Sequence, residues 1–235
     1  MSKIVVITGA SRGIGKETAL HLSSVGYKVI GTYLNSIDSA NELVKKGIDM
    51  VRCNVSLNTD VTRLFNYVTK KYGEIYAVIN NAGVSFKQKF ILDVTDKEFD
   101  DTVSVNLKGV FNGTKIAVEK MLGYGGKILN VSSVLALSGG SCESVYTATK
   151  AGVLAFSRAV SEELNDSKLS VCSLVIGLID TDMNAHLKSE EKMEFVKNHG
   201  LKKVYSAKDV AKRISKILNE KNVNGKIFKI FVGKK

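Results

Sequence analysis

Residues 144–152 read SVYTATKAG, placing Tyr146 four positions before Lys150 with small residues between them. On a helix that spacing sets a phenol and an ammonium on one face. The pair suits either a solvated helix surface or a tuned proton donor, and the rest of the chain has to decide between the two.

A second chemical stretch, TGASRGIG (8–15), follows an apolar run and opens a helical pattern. Gly9 permits a tight turn, Gly13 lets backbone approach a phosphate, and Gly15 lets helix and sheet pack closely. Ser11, Arg12 and Ile14 complete the turn. Amides at the start of a helix, with its dipole, then hold a pyrophosphate. Selection for NAD calls for an acid about 20 residues on, accepting from the ribose hydroxyls. Here that region reads GTYLNSID, with Asn35 and Ser36 where the acid belongs and Asp38 late. No carboxylate repels a 2′-phosphate, and Arg12 can pair with one. The expected cofactor is therefore NADP(H); the alternative leaves Arg12 on the surface and admits both dinucleotides.

Seven strand-like runs would position these residues: 3–9, 28–34, 49–55, 75–83, 126–133, 169–177 and 226–233. Helical patterns alternate with them, one opening at Thr95 with Glu98 three residues on, a capping-box signature. The beat predicts an α/β chain: a single Rossmann domain over residues 1–235, with a doubly wound parallel sheet of about seven strands and helices on both faces. Ligands of such sheets sit at the carboxyl ends of the strands, where the chemical residues fall.

Composition sets limits. The chain has 235 residues, 44% hydrophobic and 24% charged, enough for one sizeable core. It has no apolar run long enough for a membrane helix. A strand beginning at residue 3 leaves no room for a leader, and three dispersed cysteines have no metal-ligand spacing, so a reduced, cytoplasmic protein without a metal is expected. The net charge of +11 is spread along the chain without a basic block, which argues against nucleic acid as a partner. Proline is absent, so every turn forms without its fixed dihedral.

With TGASRGIG, NNAG (80–83), Asn106, NVSS (130–133) and YTATK (146–150) in order, the chain resembles the short-chain dehydrogenase/reductase family, most of all its 3-oxoacyl-[acyl-carrier-protein] reductases. The resemblance implies that Tyr146 is the general acid, giving its proton to a carbonyl oxygen as hydride reaches carbon. Lys150 would lower the phenol from its usual value near 10 and hold the nicotinamide ribose. Ser133 would donate to the substrate oxygen, and Asn106 would anchor a water that relays protons to Lys150. Asn54 and Val55 would meet the adenine. Asn80, Ala82 and Gly83 would line the strand end near the ribose. Ile179 would offer backbone groups to the nicotinamide carboxamide, and Thr181 a hydroxyl.

The implied activity is NADPH-dependent reduction of a small or carrier-bound carbonyl. Rival readings are a steroid, sugar or small-ketone reductase and a non-catalytic dinucleotide sensor. A lid would span 183–204, and Leu135, Leu137, Cys142 and Met183 would line an apolar pocket. The family's Pro-Gly beside the nicotinamide is Ile176-Gly177 here. Where carrier reductases present arginines, this chain has Tyr124 and Ser167, with Lys127 and Lys168 nearby as looser partners. A homo-oligomer, tetramer or dimer, would form through helices beginning near Thr95 and Val145. The usual C-terminal Gly-Gly is reduced to Gly233-Lys234.

Overall fold

A computed structural model describes residues 2–230; the Gly233-Lys234 position lies outside that range. Strands β1 (Ile4–Ile7), β2 (Lys28–Tyr33), β3 (Asp49–Arg52), β4 (Ile75–Asn80), β5 (Gly126–Ser133) and β6 (Leu169–Ile176) join the later β9 (Ile227–Lys229) in one sheet. Its order is β3-β2-β1-β4-β5-β6-β9, every pair parallel. The order reverses between β1 and β4, so the loops after those strands splay to opposite sides and leave a crevice.

Side-chain alternation explains the two-sided burial. In β1, Val5 and Ile7 enter one core with Leu22 and Ile214. Ile4 and Val6 enter the other, with Phe65 and Met121. The first core is closed by α1 (Gly13–Ser24), α2 (Ile37–Val44) and α9 (Ala207–Asn219). The second is closed by α3 (Asn58–Tyr72), α5 (Gly109–Met121) and α7 (Ser144–Glu163). Each buried β1 side chain contributes about 1.5–3 kcal/mol, so the glycine turn that follows hangs from one of the best-anchored strands.

The expected capping box is present at α4 (Asp96–Val103): Thr95 Oγ1 accepts from the Glu98 amide and Glu98 Oε2 accepts from the Thr95 amide. Helix α4 runs into α5 through a π-helical turn, Ser104–Lys108. A short α6 (Leu135–Ser138) follows β5. The stretch 183–204 contains α8 (Ser189–Asn198), and a two-stranded ladder, β7 (Ile179–Asp180) with β8 (Tyr205–Ser206), ties its ends together.

Candidate active site

Gly9 and Gly13 adopt φ of +66° and +52°, a region that side chains disfavour. A Cβ on Gly15 would lie 2.1 Å from the Gly9 carbonyl, so the helix start packs directly on the turn. Arg12 precedes α1 in an extended conformation and gives its amides no side-chain cap, and the first turn carries no acid. Free amides and an uncapped positive dipole end thus face a cleft of about 650 Å³. That cradle fits a pyrophosphate.

The cleft runs from the ends of β2 and β3 to α7. Ser11, Arg12 and Ile14 line one end, with Asn35, Ser36, Asn54 and Val55 beyond them. Among the described residues no carboxylate lines the cleft at the end of β2. Arg52 Nε donates instead to the Leu34 carbonyl, at 3.2 Å. Thr8 Oγ1 accepts from the amides of Asn81 and Ala82, both at 3.0 Å, which fixes the end of β4 against the end of β1.

Tyr146 and Lys150 face the other end of the cleft. Ser132 and Ser133 point to opposite sides of β5. Ser132 Oγ donates to the Lys150 carbonyl at 2.8 Å and so fastens α7 to the strand. Ser133 Oγ accepts from the Leu135 amide and lies toward Tyr146, whose phenol it makes more acidic. The Lys150 ammonium donates to the Val131 carbonyl at 3.1 Å, and burial brings its pKa down to about 8. Burial pushes the Tyr146 phenol up to about 12; the Ser133 hydrogen bond pulls it down and the Glu143 charge pushes it up again. The expectation that Lys150 lowers the phenol is therefore corrected. Its ammonium is 5.8 Å from the ring centroid and is turned to a backbone carbonyl.

Asn106 is fully buried inside the π-turn. Its Oδ1 accepts from the Val84 amide and its Nδ2 donates to the Val84 carbonyl, both at 2.8 Å. The extra residue of a π-turn lets a helical side chain reach inward, and such turns concentrate at functional sites. Gly83 is equally constrained, since a Cβ there would lie 3.3 Å from Asn106 Oδ1 and 3.5 Å from Lys150 Nζ.

The family model described as short chain dehydrogenase matches residues 3–192, well over half of the chain. The chain belongs to that family. Among its relatives, 3-oxoacyl-[acyl-carrier-protein] reductase FabG of Staphylococcus epidermidis is 31% identical over 228 residues, 94% of this chain and 93% of that protein. A rat 3-oxoacyl-[acyl-carrier-protein] reductase is 30% identical over 97% of this chain and 95% of its own length. The solved structure of ElxO with NADP bound superposes with a TM-score of 0.88 at 27% identity, covering 98% of this chain and 97% of that one. Levodione reductase gives 0.88 at 26% identity, covering 97% and 96%.

Short-chain dehydrogenases are oxidoreductases acting between alcohol and carbonyl, and this chain assembles most of the residues expected for that work. Gly9, Gly13, Gly15, Ala82, Gly83 and Thr181 line the same cleft as Tyr146 and Lys150. Two of the expected placements need correction. Asn80 does not line the cleft; its Nδ2 donates to Asn130 Oδ1 (2.8 Å) and Thr114 Oγ1 (3.2 Å) within the core. Strand alternation points it inward, and Asn81 lines the cleft instead, its Nδ2 donating to the carbonyls of Thr8 and Gly9. Ile179 buries its side chain in the core and its carbonyl accepts from Asn184 Nδ2, while Ile176 and Thr181 line the cleft. Lys127 opens β5 at the end opposite Ser133, roughly 20 Å away along the strand. Its ammonium caps the carbonyls of Leu218 and Glu220, and Lys168 packs beside Gly125 at that same edge. Neither lysine borders this chain's own cleft.

Sequence reasoning missed Thr32, whose Oγ1 accepts from the Gly9 amide, and Glu143, beside Tyr146. A hydroxyl on the strand next to a glycine turn was a usable signal for the first. An acid three residues before the tyrosine was one for the second.

Proposed function

We propose that this protein reduces a carbonyl to an alcohol using NADPH, with a 3-oxoacyl thioester on an acyl carrier as substrate. The observation that carries the reading is the meeting of Tyr146 and Lys150 at one end of a cleft whose other end is the glycine cradle, with Ser133 beside Tyr146 at the end of β5. The relatives named for 3-oxoacyl reduction support the substrate. The acid-free end of β2, with Arg12 opposite, supports the 2′-phosphate.

Reduced nicotinamide, bound in the cleft, supplies the hydride. Ser133 donates a hydrogen bond to the carbonyl oxygen, where negative charge develops. Tyr146 gives that oxygen its proton. A phenol near 12 keeps the proton at neutral pH, yet is far more acidic than the alcohol formed, so transfer runs downhill toward reduction. Lys150, titrating near 8, gains and loses a proton readily at neutrality and suits the return of that proton to the phenolate. Asn106 fixes the peptide of Val84 beside it. The segment around α8 serves as the lid, with Met183 at the cleft wall.

The protein works in the cytoplasm as a homo-oligomer. Phe99 on α4 and Phe111 on α5 are about half exposed, which suits a second copy against those helices. Among the described residues no helix is long and apolar enough to cross a membrane.

NADPH absorbance followed with an acetoacetyl thioester tests the assignment. Turnover in the wild type, lost in Tyr146→Phe with NADPH affinity retained, is the expected result. Turnover of a steroid or diketone but no thioester would reject the substrate. Equal kcat/KM with NADH would reject the cofactor preference, and full activity in Tyr146→Phe would reject the mechanism.

A further inference from the structure

A recess of about 40 Å³ lies beside Tyr146, walled by Phe86, Lys89, Cys142 and Glu143 among others. Phe86 and Tyr146 also line the main cleft, so the recess adjoins the place where a reacting carbonyl would sit. It has room for a small polar group, since roughly 10–15 Å³ of such space accepts one water.

The Glu143 carboxylate is poorly provided for there. Its Oε1 accepts from Gln88 Nε2 and its Oε2 from Ser85 Oγ, both at a long 3.4 Å. A carboxylate offers about four acceptor positions. Lys89 shares the recess but is committed to Glu98 at 2.6 Å. Lys87 is exposed at the rim, where water screens it. His186 exerts the weakest of the influences on the acid, and burial pushes the carboxyl up. Among the described residues this half-buried acid has spare acceptors and no cation paired with it, which favours a ligand that brings a donor and disfavours one that brings a negative charge.

We infer that Glu143 accepts a hydrogen bond from the substrate. The protein thereby selects carbonyl compounds with an N–H or O–H donor close to the reacting carbonyl, and rejects those with a carboxylate there. This rests on Tyr146 being the proton donor, as proposed above. A 3-oxo amide belongs to the favoured class, and a free 3-oxo acid to the rejected one.

Acetoacetamide, methyl acetoacetate and acetoacetate share one 3-oxo carbonyl and differ in the group beside it: donor, neutral acceptor, anion. Their kcat/KM values at saturating NADPH, with binding read separately by ligand-observed NMR, test the inference in the wild type, Glu143→Gln and Glu143→Leu. The wild type should prefer the amide to the ester by about tenfold or more, as a charge-assisted hydrogen bond predicts, and should favour acetoacetate least. Glu143→Leu should lose the amide preference. The near-isosteric Glu143→Gln should keep part of it while admitting acetoacetate. The same ranking in all three proteins overturns the assignment, as does failure of all three ligands to bind the wild type. Binding in the expected order without reduction supports Glu143 as the reader and rejects the reductase reading instead.

Discussion

Replacing Lys150 with Met removes a cation that folding must bury. The ammonium falls from an ordinary 10.5 to about 8 through desolvation, which corresponds to about 3 kcal/mol against the folded state at neutral pH. The pH window follows from those two values. Below about 8 the lysine is charged in both states and the full cost is felt. Between about 8 and 10.5 the folded chain releases the proton while the unfolded chain keeps it, so stability rises with pH. Above 10.5 both states are neutral and the cost is gone. The variant also loses the Nζ bond to the Val131 carbonyl, a bond from a charged donor worth about 1.5–3 kcal/mol. The net expectation is that Lys150→Met is inactive yet as stable as wild type at pH 7, or more stable by up to about 1.5 kcal/mol. That advantage should vanish or reverse near pH 10. Urea unfolding of both proteins at each pH measures it, with titrations common to the two cancelling in the difference. A variant less stable than wild type at pH 7, or a difference independent of pH, would refute the account of Lys150 as a cation held at a cost to stability.

Two further substitutions test the scaffold. Gly15→Ala should open the turn, because the new methyl would lie 2.1 Å from the Gly9 carbonyl and 2.8 Å from Asn81 Nδ2. A loss of about 1–3 kcal/mol in thermal unfolding and a weaker NADPH Kd by fluorescence are expected. Asn106→Leu strands both polar groups of the Val84 peptide, for a cost of about 2–4 kcal/mol. Faster hydrogen exchange at the Val84 amide should accompany it, and unchanged exchange would contradict the pairing.

Much of this was legible along the chain because it is local. Strand and helix alternation follows from apolar periodicity, and the capping box at Thr95 spans four residues. The glycine turn needs only its own dihedrals and the strand before it. Tyr146 and Lys150 share a face because a helix repeats every 3.6 residues. Those features placed the sheet, the cradle and the proposed proton donor without reference to distant contacts.

The remainder was decided by residues far apart in sequence. Asn80 and Asn81 are chemically identical, but Asn80 ends β4 with its side chain on Asn130 in the core, and Asn81, just past the strand, is left at the cleft. Asn106 was a visible candidate, but its inward reach depends on a π-turn and on a partner 22 residues away. Lys127 and Lys168 were near the site only by analogy, and the parallel strands carry them to the opposite edge. The proton affinities of Tyr146 and Lys150 follow from how much water the packed chain removes around each group. Local propensity chose the elements and their order, because dihedral and periodic preferences act within a few residues. Desolvation and strand register, which exist only once the chain is packed, decided which side chains became chemistry.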